Sequence, residues 1–443
     1  MTANSGVVPH STASLEKWLD YISLIHPHEI ELGLDRVRRV AKRLHLLKPA
    51  TRVITVAGTN GKGSTVKALE SVLEAAGYAT GSYTSPHILH FNERIRLRGE
   101  NATDKQIVEC FTRIEAGRGD DSLSYFEYTT LAALMLFSES SLDFALLEVG
   151  LGGRLDAVNI VDPDLCIITN ISLDHEDWLG KGRESIGAEK AGILRRGVPF
   201  VLADRDPPKS VIARATELAC LSAIIDRDFS SERSGDTWKL SCRTVHGEVV
   251  RLADLPIPEL NLDNVVAAFQ GLQLLEALPS PEVLVAALCE LRLAGRFERR
   301  TEERSKRRVV LDVAHNAASA ELLAASLGRE YPSVRVHLVF AAMADKDIEQ
   351  IVQCLESVVD IWYIAAFEGE RAQALEGLEA RIRNSSPNAR LHCHETVSEA
   401  FRDACDDEAG EDAIVVVTGS FHTLAEVYAL PNLRSAVSNT LLS

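Results

Sequence analysis

Apolar residues along this chain fall into two successive rhythms. Near the start, residues 14–25 and 29–46 repeat apolar side chains three and four apart and predict amphipathic helices. A continuous apolar run at 52–57 predicts a buried strand, followed by a helix reaching about residue 76 and a short strand at 79–84. Stretches near 143–149, 164–171 and 198–203 read as buried parallel strands, with helical patterns at 126–140 and 183–195 between them. Residues 222–252 are less regular, and the alternation in Trp238-Lys239-Leu240-Ser241-Cys242 predicts a small sheet attached to the first domain. Helices at about 263–277 and 281–291 close the N-terminal part.

After Gly295 the rhythm resets. Strands near 308–314, 334–341, 360–366, 389–393 and 413–418 alternate with helices near 317–330, 346–358, 373–384, 397–407 and 421–430. Such alternation predicts a second parallel, Rossmann-like sheet. The basic run from Arg299 to Arg308 reads as an exposed turn between strands. The fold class is therefore α/β in two domains: an N-terminal P-loop domain over 1–293 and a C-terminal Rossmann-like domain over 294–443.

Composition narrows the function more than the fold. With 443 residues, 46% hydrophobic and 25% charged, the chain supports two or three cores and is ordinary for a globular protein. No apolar stretch reaches membrane-spanning length, and the start lacks the basic-then-apolar pattern of a secretory signal. Eight scattered cysteines without CxxC pairs point to reduced thiols in a cytoplasmic protein. A formal net charge of −17 argues against nucleic acid or an anionic membrane as partner. An anionic small substrate stays open, because Lys62, Arg154, Lys190 and Arg296 sit beside glycines or motif segments, where a local cleft can be positive.

The chemistry gathers at predicted strand ends. Gly58-Thr59-Asn60-Gly61-Lys62-Gly63-Ser64 follows the strand at 52–57 and opens a helix. Inward backbone N–H groups, a helix N-terminus and a mobile lysine together make a phosphate cradle. The spacing departs from the standard loop: Val56 stands where its first glycine belongs, and Gly63 replaces the hydroxyl residue that usually holds magnesium. A Gly/Asn turn between packed elements is the plain alternative. Glu148 ends another strand before Val149-Gly150-Leu151-Gly152-Gly153-Arg154, well placed for magnesium, with a salt-bridged or capping role as its competitor. Leu173-Asp174-His175-Glu176-Asp177 follows the next strand, and Ser85 in Tyr83-Thr84-Ser85-Pro86-His87 can supply the missing hydroxyl or simply a turn. Lys190, among acidic neighbours, reads by itself as a surface ion pair. Arg296 at the hinge suits a phosphate clamp. Asp312 suits a nucleotide contact, and His315-Asn316 a phosphate or carboxylate, with helix capping by Asn316 as the structural competitor.

Taken together, these motifs resemble the folylpolyglutamate synthase and dihydrofolate synthase family of the wider Mur ligase-like group, from about Trp18 to Tyr428. Further matching segments are Asn92-Glu93-Arg94-Ile95, Leu155-Asp156-Ala157, Glu189-Lys190-Ala191-Gly192, Gly295-Arg296-Phe297, Asp345-Lys346-Asp347 and Gly419-Ser420-Phe421-His422-Thr423. The resemblance implies a Mur ligase-like ATPase domain at the N-terminus. It implies that Thr59, Asn60, Gly61, Lys62, Gly63 and Ser64 hold ATP phosphates, that Asn264, Arg296 and Asp312 complete the nucleotide contacts, and that Ser85, Glu148 and His175 hold Mg2+. Lys190 matches a lysine carried as a carbamate, which reverses its reading as a surface ion pair. Leu123, Ser124, Tyr125 and Phe126 match a dihydropteroate loop, joined by Ile30, Glu31 and Leu32 and by Leu155, Asp156 and Ala157. Ala317-Ala318 stand where the family commonly has Pro-His, and Ala342 where glycine is usual.

The implied activity is an ATP-dependent amide ligase joining L-glutamate to dihydropteroate and to the γ-carboxyl of folates through an acyl phosphate. Lys62, Lys190 and His315 are its implied catalytic residues, and domain closure brings Arg296 and Asp312 onto the nucleotide. A cytoplasmic monomer is expected. The alternatives are folylpolyglutamate synthesis alone, another Mur-like ligase acting on a peptidoglycan precursor, and a non-enzymatic nucleotide switch.

Overall fold

The computed structural model describes residues 7–26, 33–367, 369, 372–407 and 413–434. The chain divides into two compact units, Met1–Leu291 and Arg292–Ser443. The first unit is built on a sheet whose strands are β1 (Arg52–Ala57), β2 (Thr80–Tyr83), β3 (Ile95–Leu97), β4 (Glu100–Asn101), β5 (Phe144–Glu148), β6 (Leu165–Ile168), β7 (Phe200–Leu202) and β8 (Ser222–Ile224). Their spatial order is β4-β3-β2-β5-β1-β6-β7-β8. Strands β2, β5, β1, β6, β7 and β8 run parallel, and β3 and β4 turn back antiparallel at one edge.

Two features of this topology place the site. Register puts Tyr83 beside Leu147, and Val56 beside both Glu148 and Ile167, so four strands end at one level. In addition, the chain leaves β1 toward β2 but leaves the adjacent β5 toward β6, in the opposite direction. That reversal opens a crevice at the carboxyl ends of β1 and β5, where ligands of open α/β sheets bind. Strands β1, β5 and β6 are buried throughout except for Arg52, as their unbroken apolar sequences require.

Helices of this unit are α1 (Leu15–Leu24), α2 (Asp35–Arg43), α3 (Lys62–Ala75), α4 (Asp104–Arg118), α5 (Tyr125–Glu139), α6 (Glu176–Leu179), α7 (Arg183–Lys190), α8 (Lys209–Glu217), α9 (Leu262–Leu274) and α10 (Pro281–Glu290). Helix α4 has no counterpart in the sequence reading, although Thr103 and Gln106 form the capping box that opens it. The helix expected over 183–195 ends at Lys190 and continues only as a 3₁₀ turn, Ala191–Ile193, in which Gly192 lies against Arg154 with no room for a side chain. Strands β9 (Ser230–Ser234), β10 (Thr237–Arg243) and β11 (Val249–Pro256) form the small antiparallel sheet, whereas residues 222–224 join the main sheet as β8. Trp238 packs on Phe269 of α9 at 6.2 Å, and the Gln270 amide bonds both the N–H and the carbonyl of Arg243, each at 2.8 Å. The small sheet thereby anchors α9.

The second unit carries β12 (Glu298–Thr301), β13 (Arg308–Leu311), β14 (Val336–Phe340), β15 (Ile361–Ala365), β16 (Leu391–His394) and β17 (Ile414–Thr418). The order is β12-β13-β17-β14-β15-β16, parallel except for β12. The basic run 299–308 is a turn only in its middle: residues 299–301 and 308 pair in the β12–β13 hairpin. Here Arg299 lies over the Phe297 ring and Arg300 pairs with Glu298, and such charge on an edge strand opposes pairing with another chain. Among the described residues, no helix is long and apolar enough to cross a membrane.

Candidate active site

The loop after β1 is shaped by what lies directly against it. Gly58 has φ +149°, and a methyl group there would overlap the Thr169 hydroxyl. Gly61 has φ +85°, and a side chain there would run into the Asn264 amide at the start of α9. The expected nucleotide residue Asn264 therefore sits over the phosphate loop itself. The segment after β6 clamps the loop from the other side. Asn170 accepts from the N–H groups of Thr59 (2.8 Å, on its carbonyl) and Asn60 (2.9 Å, on its side chain). The Thr59 hydroxyl donates to the Ser172 carbonyl and accepts from its N–H. Thr169, Asn170 and Ser172 were missed by sequence reasoning; their signal was polar residues directly after an apolar strand. Gly58→Ala is expected to cost about 1–3 kcal/mol of stability by overpacking and to raise the Kd for ATP, checked by thermal unfolding and nucleotide titration.

Lys62 opens α3, and its Nζ donates to the carbonyls of Gly58 (3.2 Å) and Thr59 (3.1 Å), which holds the charge over the loop. Ser64 is buried in the first turn. Gly63 faces Glu148: a Cβ there would stand 3.5 Å from Glu148 Oε2. That same oxygen accepts from the Ser85 N–H at 3.1 Å. The position where a standard loop carries a ligating hydroxyl thus abuts a carboxylate already joined to Ser85. Carboxylate plus hydroxyl is a hard oxygen pair, suited to magnesium with phosphate oxygens and water filling the remaining positions. Among the described residues no three His, Cys, Asp or Glu side chains make a metal site on their own. His175 immediately precedes α6, in the left-handed region (φ 52°), with Nε2 3.9 Å from Asp174.

Lys190 is buried rather than paired at the surface; the exposed ion pair belongs to its neighbour Glu189, with Arg154. Its Nζ donates to the Gly58 carbonyl at 2.9 Å, the oxygen Lys62 also uses. Burial, with help from the Lys62 charge, pulls the amine down to about 7, against the pull of Asp174 and Asp156. Asp156 is pushed up to about 6 by burial, opposed by N–H bonds from Leu151 and Val158. Gly153 packs on the carbonyls of Glu189 and Lys190, which ties the 150–157 loop to the end of α7.

Leu123 is fully buried, and Ser124 caps α5 in a box with Glu127, whose two carboxylate oxygens share a bifurcated hydrogen bond from Arg36 Nε. Tyr125 and Phe126 are part-buried, and the Phe126 ring covers Gly150, linking this loop to the one after Glu148. Leu155 is part-buried, and Ala157 is buried in the 3₁₀ turn that Asp156 caps. Ile30, Glu31 and Leu32 lie outside the described residues.

In the second unit the strand ends also collect the expected residues. Arg296 stacks over the Phe421 ring at 5.4 Å. Asp312 accepts from the N–H groups of Phe297 and Ala314, and burial raises its carboxyl while the Arg296 charge holds it back. His315 Nδ1 meets the Val313 carbonyl at 2.8 Å. Asn316 caps the helix Ala317–Glu330 through Ser319, so that helix starts well without the usual Pro-His. Ser420 is buried at the cap of Phe421–Tyr428, and His422 stacks on Phe367.

Comparison with known proteins agrees with this layout. Residues 56–269 match the family described as Mur ligase middle domain, and residues 295–421 match Mur ligase, glutamate ligase domain. The chain is 41% identical over 426 residues to the dihydrofolate synthase/folylpolyglutamate synthase of Escherichia coli (strain K12), covering 96% of this chain and 97% of that protein. An E. coli structure in complex with DHPP and ADP is 40% identical with a TM-score of 0.88, covering 95% and 98%. A bifunctional folylpolyglutamate synthase/dihydrofolate synthase solved with Mn, AMPPNP and L-glutamate is 42% identical with a TM-score of 0.87, covering 96% and 99%.

Proposed function

The chain belongs to the dihydrofolate synthase/folylpolyglutamate synthase family of Mur ligases, and from that premise we propose its reaction and the residues that perform it. It is an ATP-dependent ligase that joins L-glutamate to the carboxylate of dihydropteroate, and to the γ-carboxylate of folates, as an amide. The observation that carries this reading is the loop Gly58–Gly63, with Lys190 bonded to its Gly58 carbonyl and with Glu148, which accepts from the Ser85 N–H, facing Gly63.

A carboxylate is resonance-stabilised and repels an amine. The acid oxygen therefore first attacks the γ-phosphorus of ATP, giving an acyl phosphate and ADP. Lys62 and the loop N–H groups offset the charge that builds on the phosphoryl oxygens, and the remaining task is positioning. The neutral amine of glutamate then adds to the activated carbonyl; the tetrahedral intermediate collapses with loss of phosphate. Ser85, Glu148 and His175 would hold magnesium, which would supply positive charge against the phosphates. Asn264, Arg296 and Asp312 are assigned to the nucleotide, and His315 with the segments around Lys346 and Ser420 to glutamate. The substrate side comprises Ile30, Glu31, Leu32, Leu123, Ser124, Tyr125, Phe126, Leu155, Asp156 and Ala157. For Leu123 and Ser124 the contribution is the shape of the loop, since their side chains are buried.

Lys190 is assigned as a carbamate. A buried amine at about 7 is substantially neutral at physiological pH, so it can add carbon dioxide, and Lys62 beside it compensates the resulting anion. All eight cysteines are free, in keeping with a cytoplasmic enzyme, and a monomer is assigned.

Phosphate release decides between the readings. With ATP, magnesium and L-glutamate, release should depend on an added pterin acid and occur with both dihydropteroate and tetrahydrofolate. Turnover with tetrahydrofolate alone leaves folylpolyglutamate synthesis; turnover only with a peptidoglycan precursor, or with no acid at all, overturns the assignment.

A further inference from the structure

We infer that Arg94 binds a carboxylate of the acid substrate, an inference that rests on the ligase reading above. Arg94 ends the 3₁₀ turn Phe91–Arg94 and leads into β3. Its carbonyl accepts from the Thr84 N–H at 2.9 Å, one residue before Ser85, so its main chain is fixed beside the phosphate crevice. The side chain is part-buried, with its guanidinium carbon 5.7 Å from the Phe91 ring centre and 5.8 Å from that of Tyr125. Nε donates to His87 Nδ1 at 2.8 Å. Among the described residues, the terminal nitrogens Nη1 and Nη2 have no hydrogen-bond partner, which leaves four N–H donors unused.

Other arginines of this unit are committed to acids of the protein itself: Arg36 to Glu127, Arg154 to Glu189, and Arg183 to Asp204. Arg94 differs in being held by two aromatic rings and a neutral ring nitrogen, none of which neutralises it. Those rings strip water from the planar cation, and the His87 bond fixes its rotation. What remains is a fork of parallel donors, the geometry that takes a carboxylate in two bonds. Its location selects the occupant. Tyr125 belongs to the loop whose Phe126 covers Gly150, two residues beyond Glu148, so the fork lies between the substrate loop and the phosphate crevice. Dihydropteroate carries only the carboxylate that reacts, whereas a glutamyl folate carries an α-carboxylate as well.

The test is a set of dissociation constants for the full chain and for Arg94→Gln and Arg94→Lys. The probes are dihydropteroate, tetrahydrofolate, the carboxamide of dihydropteroate and the α-amide of tetrahydrofolate. The wild-type protein should prefer each acid to its amide. Arg94→Gln should weaken binding of at least one acid by roughly 10- to 100-fold while its amide changes by less than about twofold. Arg94→Lys, which keeps the charge but not the fork, should fall between, and it carries the comparison if Arg94→Gln does not fold. Weakened dihydropteroate identifies the reacting carboxylate; a loss confined to tetrahydrofolate identifies the α-carboxylate. Acid and amide weakened equally, or neither changed, would overturn the inference. A wild-type chain that binds no pterin acid would instead sink the ligase reading.

Discussion

Lys62→Ala is expected to lower the rate of ATP-dependent amide formation by roughly 10³-fold or more, the scale on which preorganised cations act in phosphoryl transfer. The reason is local. Lys62 sits at the first position of α3 with its ammonium held by two carbonyls of its own loop, so its charge is already in place before the phosphoryl group moves. Alanine removes that charge but keeps the helix, because alanine is a better helix former than lysine. Circular dichroism and unfolding should match wild type while product formation disappears into background. Wild-type turnover in the variant would remove Lys62 from the mechanism.

Lys190→Ala is the second large effect, with kcat falling by roughly 10²- to 10³-fold. Partial rescue by formate or acetate is expected, since a small carboxylate can occupy the space of the lost side chain and its carbamate. The pH behaviour follows from an amine pulled down to about 7. Below that value the group is mostly ammonium and cannot attack carbon dioxide; above it the free amine predominates. At an ordinary lysine value of about 10.4, free amine would be scarce at neutrality. Wild-type enzyme in carbon dioxide-free buffer should therefore lose activity and regain it with bicarbonate, more completely at about pH 8 than at about pH 6. Full activity of Lys190→Ala would rule the carbamate out.

What could be read from the sequence was whatever is encoded locally. An apolar run, a glycine turn, a lysine and a helix pattern follow one another between residues 52 and 75, so the phosphate loop and its strand were visible at once. The same logic found Glu148, the acidic segment 173–177 some way beyond β6 and Asp312 directly after β13, because a charged residue following a buried strand stands out, whereas the neutral Thr169, Asn170 and Ser172 did not. Lys190 could not be understood that way. Its neighbours in sequence are acidic and its surface partner looked obvious, yet burial turns it toward a carbonyl 132 residues earlier. Gly63 was similar: the sequence offered Ser85 as one source of the missing hydroxyl, and only folding shows Glu148 facing Gly63 while accepting from the Ser85 N–H. The run 299–308 was read correctly as a turn between strands in its middle but not at its ends, where its arginines hid a hairpin whose partner, β13, lies next along the chain. The family resemblance supplied the substrate-side residues, and the packing of Phe126 on Gly150 gives one of them a physical connection to the crevice.

The acyl phosphate is the claim on which the rest depends, and oxygen transfer tests it most directly. Dihydropteroate labelled with 18O in its carboxylate would be turned over with ATP and L-glutamate, and the phosphate produced analysed by mass. Attack of the acid oxygen on phosphorus followed by cleavage of the carbon–oxygen bond must leave one labelled oxygen in each phosphate. Unlabelled phosphate, formed alongside amide, would contradict the mechanism.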